Sequence, residues 1–493
     1  MRFIPKLGLE TSHGWGLKGF TRDELDDIHQ ASLQVFEEIG IRVDDCEEAL
    51  DIFAGAGCRV EKKGGHGIVK IPAHVVEDCI RWAPSTVNWK GRHPDGDYVM
   101  EPRRISYATF GEMVNIIDPK TRKLRQTTMA DSGDIARLCD AMPECGIVQR
   151  PVASMDNPLG TQPVYNAVSL FENTSKHVLI GPMNRANFDI IARLAFAHVG
   201  GEENFADRPM FSCIVCPTSP LRLEKDCAEM IISTARLKGC GLLTGPVPLT
   251  GTSTPVTLAG TVISANCECL AGLILAQLTR KGTPVFYSQV GTIMDMKLMT
   301  AAYGAPEMPL MSSAIVQLSQ YYKLPSHCTG IHSDCKELDP QTGYESAMSA
   351  MTMALTGANI INGLGSIELG LTFDYAKFML DIECARNIRQ VVEGIPVNDG
   401  EKALNIMDEV GPGGQFLANR HTFDNMRRRS QADLFSRHSR RAWKDLEKPG
   451  LVDRAYDAAN EILDNYEPNP IPESVREAVR EIITEYEAAQ QSA

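Results

Sequence analysis

The side chains best suited to chemistry recur at or just after short apolar runs that are typical of buried strands. They are carboxylates, amides, aromatic rings and a few cationic or imidazole groups, and they form no common catalytic signature. Aromatic faces and carboxylates together suit an organic cation such as an ammonium group. The candidates, in chain order, are Phe110, Glu112, Arg150, Tyr287, Gln289, His332, Asp334, Lys336 and Glu368.

The densest polar stretch runs from Gly330 to Glu345 and begins within a predicted strand. A long polar loop after an apolar strand is a good candidate for a functional loop, because such loops are surface-exposed and carry much of binding and catalysis. Each candidate also has a purely structural alternative. The aromatic residues could be core, the carboxylates could cap helices or pair with loop cations, and Lys336 could be an ordinary surface charge.

Several catalytic signatures are absent from the sequence. It has no Walker-type loop, no His-Glu-x-x-His zinc motif and no Gly-x-Ser-x-Gly elbow. Cys213 and Cys216, the lone C-x-x-C pair, lie on a predicted strand, where residues three apart point to opposite faces. Cys267 and Cys269 lie on a predicted helix, where near neighbours diverge. We therefore predict structural thiols and no metal site.

The elements that must position the candidates alternate strictly from residue 104 onwards. Eight strand-helix units favour a parallel sheet with crossover helices, and eight units over about 290 residues favour closure into a (β/α)8 barrel. An open doubly wound sheet is the alternative. The predicted strands are 105–114, 147–155, 177–183, 210–217, 241–247, 284–291, 327–332 and 359–367, and the predicted helices are 130–142, 161–174, 187–199, 220–238, 255–281, 305–323, 341–357 and 373–393.

Flanking segments extend this α/β barrel, which we assign to residues 104–395. Residues 1–103 are predicted to form an α+β extension, with a capping box at Thr21 and helices at 22–39 and 73–82. Residues 396–493 are predicted to be helical and hold a basic cluster whose alternatives are a solvated face or a dock for an acidic partner. Helix starts are predicted at Ser219-Pro220 and Thr254-Pro255, helix stops at Gly239 and Gly282, and the basic cluster comprises Arg427, Arg428, Arg429, Arg437, Arg440, Arg441 and Lys444.

Composition limits the classes of function. The formal net charge is −14, which argues against a nucleic-acid binder, since such proteins neutralise phosphates. The first residues precede no apolar signal region, and no run of about 18 apolar residues occurs, so neither export nor a membrane span is expected. We therefore expect a cytoplasmic protein whose fourteen cysteines are reduced.

Several stretches spread over nearly the whole chain resemble the trimethylamine methyltransferase family. Each stretch alone is weak, but their combination is specific. They are Ala83-Pro84, Lys90-Gly91-Arg92, Thr254–Gly260, Asn266–Gly272, Ala305-Pro306-Glu307, Tyr321–Pro325, Ser333-Asp334 and Gly343-Tyr344-Glu345.

The resemblance implies a barrel that moves a methyl group from an amine to the cobalt of a separate corrinoid protein, with no tightly bound cofactor of its own. Archaeal trimethylamine enzymes of the family carry pyrrolysine in the loop after the seventh strand. Here that loop has only standard residues, with Asp334, Cys335 and Lys336 nearest the expected position. Relatives without pyrrolysine resemble enzymes for quaternary amines, so glycine betaine, carnitine or proline betaine is expected rather than trimethylamine.

These expectations assign roles to the candidates. Phe110 and Tyr287, with Glu112 or Glu368, would form a cation pocket, and Arg150 or His332 would receive a substrate carboxylate. Asp334, Gln289 and Lys336 would act at the reaction centre by orienting the headgroup. The alternatives are a betaine-binding barrel without catalysis, trimethylamine as substrate, and an unrelated metal-dependent lyase or hydrolase. A homo-oligomer is also open, because barrels of this size often self-associate.

Overall fold

Eight parallel strands form the centre of the computed structural model, which describes residues 16–446 and 449–491. The strands are β1 Ser106–Thr109, β2 Ile147–Gln149, β3 His177–Ile180, β4 Phe211–Val215, β5 Gly241–Thr244, β6 Val285–Gln289, β7 Ser326–Thr329 and β8 Ile360–Leu364. They pair in the order β1-β8-β7-β6-β5-β4-β3-β2. Tyr107 N donates to Glu144 O, and Gly146 N donates to Tyr107 O, which closes the sheet between β1 and β2. The predicted barrel is therefore confirmed, and the open-sheet alternative is wrong.

Each strand is followed by one of the eight predicted helices, which form the outer shell. Among the described helices, only α5 is long and apolar enough to cross a membrane, yet 72 % of its most apolar window is buried inside the protein. The helices are α1 Met129–Ala141, α2 Gln162–Asn173, α3 Arg185–Val199, α4 Lys225–Arg236, α5 Leu258–Thr279, α6 Glu307–Tyr322, α7 Pro340–Thr356 and α8 Tyr375–Val392.

Two predicted helix starts are wrong. The Ser219-Pro220 peptide is cis, and α4 begins only at Lys225, because residues 222–223 instead add a short strand to the N-terminal sheet. Helix α5 begins at Leu258 rather than at Pro255, because Thr254 bonds to the Thr261 hydroxyl before the helix starts. The predicted stops hold, since Gly239 and Gly282 have φ of +90° and +84° just after α4 and α5.

The first predicted strand is too long. It ends at Thr109, and the next residues form a hairpin that pairs with the segment after β8 at the C-terminal end of the barrel. The candidate site residues also lie at or after the C-terminal ends of the parallel strands. This hairpin is therefore on the same side of the barrel as the candidate site. Its strands are Asn115–Ile117 and Leu124–Gln126, paired with Thr372–Asp374 and, through that strand, Ser366–Ile367.

The N-terminal extension closes the opposite end of the barrel. Trp89 stacks on Phe286 with ring centroids 4.1 Å apart and contacts Gly241, the first residue of β5. The predicted capping box at Thr21 is present. The elements are the helices Arg22–Gln34, Val35–Ile39 (π), Glu47–Gly55 and Ala73–Trp82, the strands Ile41–Asp44, Arg59–Lys63 and His66–Lys70, and the hairpin Val87–Trp89 with Tyr98–Met100.

The C-terminal extension is helical, as predicted. Its last two helices pack on the barrel, with Tyr456 bonded to Asp374 and Tyr486 bonded to Asn187. Most buried apolar residues of both extensions belong to the same core as the outer face of the barrel, whereas Val87, Trp89, Tyr98 and Met100 pack with the barrel interior. The helices are Asp399–Lys402, Leu404–Val410, Arg420–Asn425, Arg440–Asp445, Leu451–Asn465 and Glu473–Gln491.

Candidate functional site

Strained backbone marks the C-terminal end of the barrel. Glu112, Met183, Ile331 and Glu368 follow β1, β3, β7 and β8, and all four have φ between +53° and +70°. Side chains other than glycine rarely adopt this conformation, and such strain clusters at ligand-binding and catalytic sites. We call this end of the barrel the mouth.

An aromatic cluster lies at the mouth between β1 and β7. The His332 ring contacts Phe110 edge-on at 4.4 Å between centroids and stacks near Tyr303 at 5.2 Å. His332 is fully buried, and neither ring nitrogen has a partner among the described residues. Burial lowers the pKa of His332 to about 3, so its ring is neutral at physiological pH. The cluster can therefore offer ring faces without adding a positive charge.

An ion pair lies on the neighbouring side of the mouth. Glu112 Oε1 pairs with Arg150 Nη2, and the Arg150 side chain is almost fully buried. Burial lowers the pKa of Arg150 to about 9, which still leaves the guanidinium charged at neutral pH. Because Glu112 is half exposed, its second oxygen remains open to a cation in solution.

Beside this ion pair lies an open pocket of about 200 Å³. Ligand pockets for drug-sized molecules measure roughly 300–1,000 Å³, so this one suits a smaller molecule. Within the described chain none of its lining residues is basic, and the carboxylates of Glu112 and Asp226 contribute to its wall. The lining comprises Glu112, Gly181, Met183, Ile214, Val215, Cys216, Asp226, Cys227 and Met230.

Cys216 lies inside this pocket rather than on the outer surface. Of the fourteen cysteines, all within the described residues, it alone is exposed. The protein atoms around the pocket nevertheless desolvate its thiol and raise its pKa to about 11, because they disfavour the thiolate. Cys216 influences the ionisation of both Arg150 and Tyr303, so the pocket adjoins the ion pair and the aromatic cluster.

The loop after β7 is held in place by hydrogen bonds. Asp334 Oδ1 accepts from Tyr303 N at 3.0 Å, and Glu345 accepts from Asp334 N at 2.8 Å. Burial raises the pKa of Asp334. Lys336 is exposed and donates to Asp334 O, while Glu368 N donates to Cys335 O and so joins the loops after β7 and β8. The loop residues therefore support the mouth, with Lys336 on its solvent side.

A buried ion pair fixes the ends of β7 and β8 to each other. Lys377 Nζ lies 2.6 Å from both Asp381 carboxylate oxygens and donates to Ile331 O at 3.2 Å. Asp381 Oδ2 also accepts from Gly365 N at 2.9 Å. Because both side chains are almost fully buried, this link holds the backbone that carries His332 and Glu368.

A polar network forms the floor of the mouth inside the barrel. His327 on β7 bonds to Gln149 Oε1 on β2 at 2.7 Å and to Ser288 Oγ on β6 at 3.2 Å. Asn362 on β8 lies at 3.4–3.5 Å from the same imidazole. Burial lowers the pKa of His327 to about 3. The floor is therefore uncharged and held in one arrangement.

Two of the predicted site residues lie outside the barrel rather than at its mouth. The Tyr287 hydroxyl bonds to Asn266 on α5, and Gln289 accepts from Ser312 on α6. Their neighbours on β6, Phe286 and Ser288, point inwards instead, because side chains alternate along a strand. The structure therefore groups Phe110, Glu112, Arg150, His332, Asp334 and Glu368 around the mouth, with Lys336 at its edge, and separates Tyr287 and Gln289 from them.

Several residues of the mouth were not among the predicted candidates. Gln149, His327 and Asn362 are polar residues within otherwise buried strands, which is the signal that could have indicated them. Tyr303 lies in an irregular connection with no motif, and Cys216 was assigned to a structural pair. Among the described residues, no three His, Cys, Asp or Glu side chains come together in a way that could hold a metal ion.

Comparison with known proteins agrees with this architecture. The profile of the family described as "Trimethylamine methyltransferase (MTTB)" matches residues 15–490. The chain belongs to the trimethylamine methyltransferase family. It is 42 % identical over 487 residues to the trimethylamine methyltransferase MttB of Desulfitobacterium hafniense, covering 99 % of this chain and 97 % of that one.

Two further relatives differ in their named substrates. The trimethylamine methyltransferase MttB of Methanosarcina barkeri is 35 % identical and covers 94 % of each chain. The glycine betaine methyltransferase of Desulfitobacterium hafniense is 28 % identical and covers 91 % of this chain and 92 % of that one. This member of the trimethylamine methyltransferase family is therefore a methyltransferase. Its relatives are named for a tertiary amine, trimethylamine, and for a quaternary amine, glycine betaine.

Proposed function

We propose that this protein moves a methyl group from a quaternary amine of the betaine type to the cobalt of a separate corrinoid protein. The observation that carries the proposal is the pocket at the mouth, whose described lining has two carboxylates, two thioethers and no basic residue. Carboxylates and soft apolar atoms suit a permanent organic cation. The Phe110 ring, in the aromatic cluster at the same mouth, adds an aromatic face.

The proposed reaction needs little from the protein beyond binding and alignment. Cobalt(I) supplies the electron pair for the new cobalt–carbon bond, and the carbon–nitrogen bond breaks with its electrons going to nitrogen. A quaternary donor leaves as a neutral tertiary amine, so no proton has to be delivered. Orientation alone can lower the barrier by several kcal/mol, about 7–11 in favourable cases. The neutral His332 and His327 are consistent with a site without a general acid.

Two polar side chains at the mouth are placed to bind the carboxylate of a betaine substrate. Arg150 is charged and its Nε has no partner, while the Gln149 amide lies on the floor beside Gly111. The standard residues Asp334 to Lys336 after β7 favour a quaternary amine, since the family resemblance implies pyrrolysine in that loop of the archaeal trimethylamine enzymes. Tyr287 and Gln289 have no place in this proposed site.

An apolar rim around the mouth supports the proposal that a partner protein binds there. Exposed methionine, leucine and valine side chains project from the loops after β2, β3, β5, β6 and β8. Such a patch marks an interaction surface, and methionine is enriched at protein interfaces. A corrinoid protein docked there would bring its cobalt to the pocket. The rim comprises Met155, Leu159, Met183, Val247, Val256, Met296, Leu298, Met299 and Leu371.

The test is a substrate panel in which the protein, a cobalt(I) corrinoid protein and one amine are mixed without oxygen. Glycine betaine, carnitine, proline betaine and trimethylamine are compared by the absorbance of methyl-cobalt. We expect methyl-cobalt with at least one quaternary amine. Turnover with trimethylamine alone contradicts the substrate class, and betaine binding without any methyl transfer supports a binding barrel instead.

A further inference from the structure

A long segment of the C-terminal extension has no core of its own. We call residues 395–446 the arm. None of its described residues is buried, although they form four short helices. The arm holds eleven of the twenty-eight exposed large apolar side chains of the described chain. These are Ile395, Val397, Leu404, Met407, Phe416, Leu417, Phe423, Met426, Phe435, Trp443 and Leu446.

This concentration of exposed apolar side chains requires a binding partner that buries it. Ordering a residue costs about 1–2 kcal/mol in backbone entropy, which a segment recovers mainly by burying apolar side chains. The eleven side chains expose an area on the order of 1,000 Å², comparable with the ~800 Å² that each partner contributes to a standard interface. The arm is tied to the barrel near Asp433, which pairs with Arg386 at 2.8 Å. Most of its apolar surface therefore faces solvent.

The distribution of charged residues indicates what this binding partner is. Between Arg420 and Lys444 there are eight basic residues and two acidic ones, in a chain of net charge −14. Residues 21–55 hold eleven acidic residues and two basic ones. An open groove of about 560 Å³ beside helix Arg22–Gln34 includes Asp27 and Glu37. The six basic residues of this stretch without an acidic partner among the described residues are Arg427, Arg429, Arg437, Arg440, Arg441 and Lys444.

The two complementary surfaces lie on different sides of one chain. The N-terminal helices pack on α5 and α6, where Asn266 bonds to Ser32 and Tyr322 bonds to His29. The arm is tied to α8, where Glu383 accepts from Asp433 N. Since α5 and α8 are three positions apart in the ring of helices, the two surfaces are anchored apart in one copy and are free to meet between separate copies.

We propose that the arm binds a second copy of this chain, with its basic part against residues 21–55 of that copy. Complementary surfaces on two sides of a protein give head-to-tail contacts, which form a ring when the rotation between copies closes and a filament when it does not. A corrinoid protein is a poorer occupant. Because α8 runs back from the mouth, the arm begins at the opposite end of the barrel, and a protein docked over the mouth would leave that part uncovered. This proposal is independent of the substrate.

The test measures molar mass by light scattering during size-exclusion chromatography of the full chain. We expect a multiple of 54.1 kDa. Leu417→Asp, and separately the double change Arg427→Glu with Arg429→Glu, should raise the dissociation constant at least ~10-fold, as loss of central interface contacts does. Leu298→Asp and Arg476→Glu are matched controls, because both residues are exposed outside the arm and should leave the mass unchanged.

A charge swap tests the place of contact. Asp23→Lys with Asp27→Lys should dissociate the assembly, and adding these changes to the Arg427→Glu, Arg429→Glu chain should restore it. Monomeric wild-type protein at ~100 µM, or an unchanged mass in the arm variants, overturns the proposal. Failure of the combined variant to reassemble overturns the contact with residues 21–55. Circular dichroism serves as the check of folding in every variant, because Leu298 lies on the rim at which the corrinoid protein is proposed to dock.

Discussion

Nε2 of His327 on β7 lies 2.7 Å from Oε1 of Gln149 on β2, across the interior of the barrel. Since burial keeps His327 neutral, its one ring proton lies on Nε2 and is donated to Gln149, while Nδ1 accepts from Ser288. The Gln149 amide nitrogen is then turned towards Gly111, where an added Cβ would lie 3.1 Å away. Gln149 therefore presents a hydrogen-bond donor at the mouth.

Changing Gln149→Glu replaces this donor with a carboxylate. Hydrogen bonds to charged groups contribute about 1.5–3 kcal/mol, so we expect the Kd of glycine betaine to rise at least ~10-fold. Tetramethylammonium, which has no carboxylate, should bind at least as well as to wild type. Calorimetry without the corrinoid protein measures both, with the exposed Gln126→Glu as control. An equal loss for the two ligands would show that Gln149 does not meet the carboxylate.

Changing Phe110→Leu removes an aromatic face but keeps most of the apolar volume. Cation–π contacts contribute roughly 0.5–2 kcal/mol, so we expect KM for the amine to rise about 2- to 30-fold with kcat nearly unchanged. Steady-state kinetics at saturating corrinoid protein separate the two constants. Phe423→Leu, on the exposed arm, is the control. A lower kcat at constant KM would argue against a binding role for Phe110.

Three buried histidines link stability to pH. Burial lowers the pKa of His177 to about 4 and of His327 and His332 to about 3, from an ordinary value of 6.5. The unfolded chain therefore binds more protons below pH 6.5, and the free energy of unfolding falls as the pH falls from 6.5 to 4. Each histidine contributes about 1.4 kcal/mol per pH unit.

Urea titrations across this pH window test the linkage. The His177→Gln variant should lose one histidine's share of the slope, whatever its stability at neutral pH. The comparison of slopes is independent of the carboxylates, which are the same in both proteins. An unchanged slope would mean that His177 is not held neutral in the folded state.

The apolar rim has a separate prediction. Leu298→Asp places a charge on a side chain that is 67 % exposed at the mouth. We expect kcat/KM for the corrinoid protein to fall about 10-fold, because a charge at an interface core must be desolvated, while amine binding stays unchanged. The matched control is Leu417→Asp, on the arm at the far side. Equal effects of both variants on kcat/KM would argue against docking at the rim.

The barrel could be predicted from the sequence because its signals are local and repeated. Alternating apolar strands and helix-length segments fix the type of each element without reference to distant residues. Helix starts at Ser219 and Thr254 could not be predicted, because Glu268 accepts from Leu221 N and Thr261 bonds to Thr254 only once the chain has folded. Such contacts depend on packing rather than on local pattern.

The site was harder to predict than the fold. Phe110 and His332, which the sequence places at two strand ends, lie together at one mouth, since parallel strands end at the same edge. Tyr287 was misplaced, because a shift of one residue along a strand turns a side chain to the other face. His327 and Gln149 meet only through the curvature of the closed barrel, which no single segment encodes.

The most direct measurement follows the methyl group itself. Glycine betaine, carnitine or proline betaine with ¹³C-labelled N-methyl groups is incubated with this protein and a cobalt(I) corrinoid protein. Nuclear magnetic resonance should then show labelled methyl-cobalt and the corresponding demethylated tertiary amine in equal amounts. Label that stays on the quaternary amine for all three substrates, while trimethylamine yields methyl-cobalt, would contradict the account.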